Sequence, residues 1–233
     1  MRIPSVCETI RYPSDAWRLL GGYLSDSRRQ KLERVAHLRT RHLRLVVQDI
    51  HHPHNVSACL RSAEAFGIQD VDVVCLKEKF CPSSVARGVS KWLSINKYST
   101  IEACAQNLRA LGYRIAAGMP CEEGAVLLSK VKLEEPLAIL FGNEHEGVHS
   151  EWKKHCDFFF TIPMVGFVES LNISVSNAVT LYELTRRAKE EIPEDRYYLK
   201  ADDREALLSG WVCEHLEGWD LIYRSVSKKE KMF

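Results

Sequence analysis

Three short segments of this 233-residue chain combine polar side chains with glycine, proline and small apolar residues. They are DIHHPHNVSACLRS at 49–62, LFGNEHEGV at 140–148 and IPMVGFVESLNISVS at 162–176. Asn55 is a favourable helix cap, whereas Arg61 lies among small and apolar residues, where a guanidinium needs an anionic or carbonyl partner or a path to solvent. Together these groups could bind and orient a polar ligand, although helix caps and a surface arginine would use the same residue types.

Each of these segments begins at the end of a predicted strand. Apolar runs predict strands at 43–49, 71–76, 113–118, 136–142 and 158–163, and helical periodicity predicts helices at 55–66, 100–112 and 172–188. Alternating strands and helices indicate an α/β fold with a mostly parallel sheet and helices on both faces. Open α/β sheets bind ligands at the carboxyl ends of their strands, so we expect the three segments to meet there.

The predicted elements divide the chain into three parts. Residues 1–42 form a helical, basic N-terminal extension with helices at 15–24 and 28–38, and residues 43–188 form the α/β domain. Residues 189–233 form an acidic C-terminal extension with a helix at 202–216.

Charge is balanced overall but unevenly distributed. The chain has 32 Lys and Arg against 31 Asp and Glu, yet basic residues concentrate at 26–54 and acidic residues at 189–220. This asymmetry is consistent with a local site for a polyanion, or with two solvated helix faces of opposite sign. The arginines of the basic part are Arg28, Arg29, Arg34, Arg39, Arg41 and Arg44.

Several function classes find no support in the sequence. The cysteines show no C-x-x-C spacing, the N-terminus has no signal-like apolar run, and no segment has the length of a membrane span, so we expect a cytoplasmic protein with no membrane partner. Neither G-x-G-x-x-G nor a P-loop occurs, which argues against a conventional dinucleotide-binding or Rossmann methyltransferase fold.

Two histidine-rich stretches could suggest a metal. HEGVH at 145–149 fits the H-E-x-x-H pattern of zinc proteases, but Gly147 interrupts the helix that this site requires. His51, His52 and His54 surround Pro53 without the spacing of a tetrahedral site. We therefore expect no metal, and a metalloprotease is the weaker alternative.

The three segments, in this order, resemble the motifs of the SpoU (TrmH-like) branch of the SPOUT RNA methyltransferases. The first is similar to N-x-S-A-x-x-R-[ST], the second to G-x-E-x-x-G, and the third to I-P-M-x-G-x-x-x-S-L-N-x-S-x-[AS]. The resemblance extends from about Leu43 to Arg187, and the histidine-proline run before Asn55 is more similar to the tRNA-modifying members than to the ribosomal ones.

The resemblance implies a C-terminal trefoil knot, a homodimer that completes the site, and S-adenosyl-L-methionine as cofactor. Knots are rare, so this expectation depends wholly on the resemblance. The cofactor would be held near Gly118, Gly142, Ile162, Met164 and Leu171. Catalysis would involve Arg61, arranged together with Asn55, Glu144, Ser170 and Asn172.

The implied reaction is methylation of a ribose 2'-hydroxyl in structured RNA. A guanidinium that acted as a base near pH 7 would cost about 8 kcal/mol, so a charged Arg61 that clamps the RNA phosphate is the better hypothesis. The six arginines of the basic part would bind RNA. The expected target is a guanosine in the tRNA D-loop, with another tRNA position or rRNA as alternatives. Outside the enzymes, the rival interpretation is a non-catalytic RNA-binding module.

Overall fold

The computed structural model of the protein describes residues 12–76, 87–120 and 123–230. The described chain divides into two compact units, one formed by residues 40–197 and the other by residues 12–39 together with 198–230. Most described residues of the two terminal segments, which the sequence suggested as separate extensions, thus belong to one unit.

The first unit is built on a seven-stranded sheet in which every pairing between strands is parallel. The strand order is β3-β2-β1-β6-β4-β7-β5, which confirms the predicted α/β architecture with a mostly parallel sheet. The strands are β1 (Leu43–Gln48), β2 (Asp70–Val74), β3 (Ser94–Tyr98), β4 (Arg114–Gly118), β5 (Val126–Leu127), β6 (Leu137–Phe141) and β7 (Phe158–Thr161).

Helices connect or follow these strands, and polar side chains cap several of them. Thr100 accepts a hydrogen bond from the backbone N–H of Ala103, and Asn172 accepts one from that of Ser174. The helices are α1 (Ala16–Leu20), α2 (Asp26–His37), α3 (Pro53–Ala65), α4 (Arg87–Ser90), α5 (Ile101–Ala110), α6 (Ile173–Glu191), α7 (Glu194–Tyr197), α8 (Ala201–His215) and α9 (Trp219–Glu230). Among the described residues, no helix combines the length and apolar character needed to cross a bilayer.

Burial along the strands explains which of them the sequence revealed. All residues of β1, β2 and β6 are buried, as expected for strands covered on both faces. Strand β3, with the sequence SINKY, was not predicted, because its half-buried, mostly polar residues give no apolar run.

A buried ion pair joins β1 to β2. The guanidinium of Arg44 donates to both carboxylate oxygens of Asp72, at 2.6 and 2.8 Å, and Asn96 donates to the same carboxylate at 2.9 Å. The side chains of Arg44 and Asp72 are 5% and 0% exposed. The prediction that Arg44 binds RNA is therefore wrong, because this guanidinium is enclosed and already holds an anion.

The second unit packs α1 and α2 against α8, and α1 also against α9. The backbone N–H of Trp17 donates to the hydroxyl of Ser209, which in turn donates to the carbonyl of Ser14. Helix α8 confirms the predicted helix at 202–216 within one residue at each end, whereas α9 was not predicted.

Arg39 is another buried cation of the basic part. It is 1% exposed, and its guanidinium lies 5.4 Å from the centre of the Trp211 ring. Its prediction as an RNA-binding residue is wrong because its guanidinium is buried and has no access to a phosphate in solution. Arg28, Arg29 and Arg34 lie on α2, where Arg29 and Arg34 are exposed, and the partly exposed Arg41 pairs with Asp70 at 2.9 Å.

We expect Asp72→Ala to lower the free energy of unfolding by about 3–5 kcal/mol, because it leaves a buried guanidinium without its carboxylate. Glu135→Ala, which removes the mostly exposed partner of Arg114, should change it by less than about 1 kcal/mol. Urea unfolding followed by circular dichroism measures both. Equal effects of the two substitutions would contradict a buried Arg44–Asp72 pair.

Candidate active site

The three polar segments lie where the expected ligand-binding edge of the sheet should be. They follow β1, β6 and β7, and the carboxyl ends of parallel strands meet at one edge. A cavity of about 580 Å³ opens there, within the range of small-molecule sites. It is lined by Gly118, Met119, Pro120, Phe141, Gly142, Asn143, Glu144, His145, Glu146, Gly147, Val148, Phe160, Ile162, Met164, Ser170, Leu171, Asn172, Ile173 and Ser176.

Glycines shape the loop after β6. Asn143 and Gly147 exchange backbone hydrogen bonds of 3.0 and 3.2 Å, and Gly147 has a φ of 69°, which favours glycine. A Cβ on Gly142 would lie 1.9 Å from the carbonyl oxygen of Gly147. At the end of β4, a Cβ on Gly118 would lie 2.9 Å from the ring of Phe141. The loop can close this tightly only because these positions lack side chains.

Glu144 connects this loop to the segment after β1. Its carboxylate accepts a hydrogen bond from the Asn55 amide at 2.6 Å and one from the backbone N–H of His51 at 3.2 Å. Partial burial by itself would raise the pKa of Glu144, but these hydrogen bonds outweigh it and hold the pKa below its usual value. Glu144 is therefore an anion at neutral pH.

Asn172 brings the third segment to the same point. Its amide donates to the side-chain oxygen of Asn55 at 3.4 Å, and its own oxygen accepts hydrogen bonds from the N–H and hydroxyl of Ser174. Ser170 lines the cavity beside it. Four of the five residues predicted as catalytic, namely Asn55, Glu144, Ser170 and Asn172, therefore lie together at the cavity or are hydrogen-bonded to its lining.

Arg61 is the exception. It lies on α3, is exposed, and does not line the cavity. The structure of one chain thus does not bring the predicted catalytic guanidinium to the other four residues.

All five residues predicted to hold the cofactor line the cavity, namely Gly118, Gly142, Ile162, Met164 and Leu171. Met119 and Pro120 were not predicted to line a site, although they directly follow a predicted strand, as ligand-binding residues of α/β sheets do. Phe160 was not predicted either, because its position inside an apolar run gave no sign that it faces a cavity.

The segment HEGVH does not have the geometry of a zinc protease. Residues 145–149 are not helical, and the ring nitrogen Nδ1 of His149 accepts a hydrogen bond from the backbone of Glu151. The two histidines are therefore not on one turn of a helix, as the H-E-x-x-H site requires. Among described residues, one group, Glu102, Glu151 and His155, brings three ligand atoms close together, and none of the three lines the cavity.

Comparison with known proteins identifies the family. A family model described as the SpoU rRNA Methylase family matches residues 42–182. The chain belongs to the SpoU methylase family. Its fold is also similar to a solved A. aeolicus TrmH/SpoU tRNA modifying enzyme, with a TM-score of 0.73, 26% identity and coverage of 82% of this chain and 98% of that one.

Curated relatives narrow the comparison within the SpoU methylase family. A Borreliella burgdorferi protein named tRNA (guanosine(18)-2'-O)-methyltransferase is 33% identical over 74% of this chain and 79% of its own length. A Thermus thermophilus protein of the same name is 30% identical over 81% of this chain and 97% of its own length. A Haemophilus influenzae 23S rRNA (guanosine-2'-O-)-methyltransferase is 33% identical over 62% of this chain. As a member of this family, the chain is a methyltransferase.

In this SpoU methylase, Gly142→Ala should abolish cofactor binding, because its methyl group would force the loop after β6 apart. Isothermal titration calorimetry with S-adenosylmethionine measures the effect. Gly22→Ala is the control, since a Cβ there meets nothing within 4 Å and Gly22 lies in the other unit. Unchanged cofactor affinity in Gly142→Ala would show that the cavity is not the cofactor site.

Proposed function

We propose that this SpoU methylase transfers a methyl group from S-adenosylmethionine to the ribose 2'-hydroxyl of guanosine 18 in tRNA. The observation that carries the proposal is the hydrogen-bonded set Asn55, Glu144 and Asn172 at the cavity, in a chain whose relatives are named for this reaction. Methylation of an rRNA ribose is the alternative, since a further relative is named for it.

The cavity suits S-adenosylmethionine. Ile162 and Leu171 offer apolar walls for an adenine ring, and Gly118 and Gly142 leave the backbone accessible to the ligand. When bound, the cofactor supplies an electrophilic methyl group on a positively charged sulfur. The residues of the chain bind it, exclude water from it and orient the hydroxyl that attacks.

Asn55, Glu144 and Asn172 serve as positioning groups in this proposal. Glu144 remains ionised and fixes the Asn55 amide, whose oxygen is in turn oriented by Asn172. Ser170 is exposed and lines the cavity beside these three residues, where its hydroxyl is offered to the ribose. Such fixed polar groups lower the barrier by holding the acceptor in an attack geometry.

Arg61 completes the site as a charged clamp on the RNA phosphate. A guanidinium remains protonated at neutral pH, so it stabilises the alkoxide that develops on the ribose, and the proton of the 2'-hydroxyl passes to solvent rather than to Arg61. Its exposed position outside the cavity supports a role across a subunit contact.

The active form in this proposal is a homodimer in which Arg61 of one copy serves the cavity of the other. An exposed apolar surface supports a second copy as partner: Val175, Val179 and Tyr182 lie along one side of α6, and Val165, Phe167 and Val168 lie in the loop before it. Helix α6 packs against α3, which carries Arg61. An apolar surface of this kind is typical of an obligate interface.

Two further expectations remain part of the proposal. The C-terminal part of the α/β unit forms a trefoil knot, which is supported by family membership and by the loops after β6 and β7 that line one cavity. Arg28, Arg29, Arg34 and Arg41 contact RNA phosphates, since guanidinium groups with access to solvent are suited to bidentate phosphate contacts. With tRNA as its substrate, the enzyme acts in the cytoplasm.

Guanosine 18 can be tested directly with synthetic tRNA. The purified protein should transfer a radiolabelled methyl group to a tRNA transcript, and should fail on the same tRNA carrying 2'-deoxyguanosine at position 18. Equal labelling of both RNAs would contradict the proposed position. Labelling of 23S rRNA fragments but not of tRNA would favour the ribosomal alternative.

Mixed dimers test whether Arg61 acts across the interface. Arg61→Ala and Gly142→Ala should each be inactive alone, whereas an equal mixture refolded together should regain about a quarter of wild-type activity, since mixed dimers form half of the population and each has one intact site of two. Activity that stays at zero in mixed dimers shown to form by mass spectrometry would place Arg61 in its own subunit's site. Arg61→Lys then separates a point charge from the planar guanidinium.

A further inference from the structure

The two histidine-rich stretches, which have no role in the proposed reaction so far, meet at the cavity. The ring centres of His51 and His145 lie 5.6 Å apart, and those of His52 and His145 lie 6.5 Å apart. His51 and His52 come from the loop after β1, and His145 comes from the loop after β6. We call these three side chains the imidazole rim.

The imidazole rim lies at the outer edge of the site. His145 lines the cavity, His52 and His145 are exposed, and His51 is half-buried. The backbone N–H of His51 donates to Glu144, so the rim begins directly beside the hydrogen-bonded set that positions the ribose in the proposed function.

Several titratable groups surround the rim. The carboxylate of Glu144 is held by Asn55 and the His51 backbone, and that of Asp49 accepts a hydrogen bond from the backbone of Leu76 at 2.7 Å. Glu146 and His149 in these loops and His54 in the first turn of α3 are the other titratable side chains nearby, and Nδ1 of His149 accepts from the Glu151 backbone. Three imidazoles therefore gather where these two loops meet, and the carboxylates of Glu144 and Asp49 accept hydrogen bonds from amide donors.

A metal does not explain the rim. Among described residues, the groups of three or more His, Cys, Asp or Glu with ligand atoms close enough for one ion do not include His51, His52 or His145. Ring separations of 5.6 and 6.5 Å instead bring the imidazoles close enough together for their N–H groups to donate to one anion that lies against the rim. A ribose inside RNA is flanked by a phosphate on each side.

We propose that the imidazole rim binds an RNA phosphate next to the ribose that is methylated, and that RNA affinity therefore rises as the pH falls. This inference depends on the proposed function. Histidine is the side chain that gains its charge between pH 8 and 5. Binding a phosphate favours the charged form, so RNA binding takes up protons and weakens as the pH rises.

The experiment measures Kd for a tRNA transcript by fluorescence anisotropy from pH 5.5 to 7.5, at constant ionic strength and with EDTA present. For the wild-type protein, Kd should rise by up to about tenfold over this range for each proton that RNA binding takes up. The triple variant His51→Gln, His52→Gln and His145→Gln should bind more weakly at pH 5.5, with a nearly flat profile. His155→Gln, which changes a histidine paired with Glu102 outside the cavity, is the matched control and should keep the wild-type profile.

Calorimetry with S-adenosylmethionine accompanies the binding series. Unchanged cofactor affinity in the triple variant, together with a flat RNA profile, supports the inference. A wild-type profile retained by the triple variant overturns it, as does an equal loss of affinity at every pH, which would indicate stacking on a base. A wild-type protein that methylates tRNA with a flat binding profile refutes the inference alone, whereas one that neither binds nor methylates tRNA refutes the proposed function as well.

Discussion

The hydrogen bonds received by the Glu144 carboxylate are the interaction on which the site depends. They join the loop after β6 to the segment after β1. Asn55 also accepts a hydrogen bond from Asn172, which precedes α6, so the third segment is joined to the other two. A hydrogen bond to a charged group contributes about 1.5–3 kcal/mol, twice or more the value of a neutral one. Loops that are far apart in sequence are thus held in one arrangement by an anion, and the anion persists because the same donors lower the pKa of Glu144.

The strand order of the sheet brings the loops after β1 and β6 together. Strand β1 lies between β2 and β6, so the chain leaves the carboxyl end of β1 next to a strand that begins about 90 residues later in the sequence. The tight turn of 143–147 keeps the following loop at that edge, and the absence of a side chain on Gly142 permits the approach. The glycine spacing and the polar side chains of the second segment, residues 140–148, are both explained by a backbone that turns sharply beside a ligand cavity.

The sequence revealed the parts of this arrangement that are local. Polar residues that directly follow predicted strands indicated that the three segments meet, and the resemblance to the SpoU branch implied that Asn55, Glu144 and Asn172 act together. Their hydrogen bonds bring these three side chains to one point. The assignment of Arg44 failed because burial of a charge depends on the neighbouring strand: Val46 lies opposite Asp72, which makes Arg44 and Asp72 diagonal neighbours on one face of the sheet. Arg39 failed for a similar reason, since Trp211 contacts it from a distant part of the chain. The distribution of charge along the sequence reveals neither the contact of Arg44 with Asp72 nor that of Arg39 with Trp211.

Helix geometry explains why Arg61 lies outside the cavity of its own chain while Asn55 is hydrogen-bonded to the cavity lining. Six residues of an α-helix separate the two positions by about 9 Å along the axis and about 120° around it. Because Asn55 is fixed to Glu144 at the first turn of α3, Arg61 must point away from that contact, toward solvent, as its exposure indicates. A motif that places both residues on one helix is consistent with the proposed homodimer, in which they serve two different cavities. In that proposal the same helix orients the ribose in one subunit and presents the phosphate clamp to the other, so that neither site is complete until two copies associate.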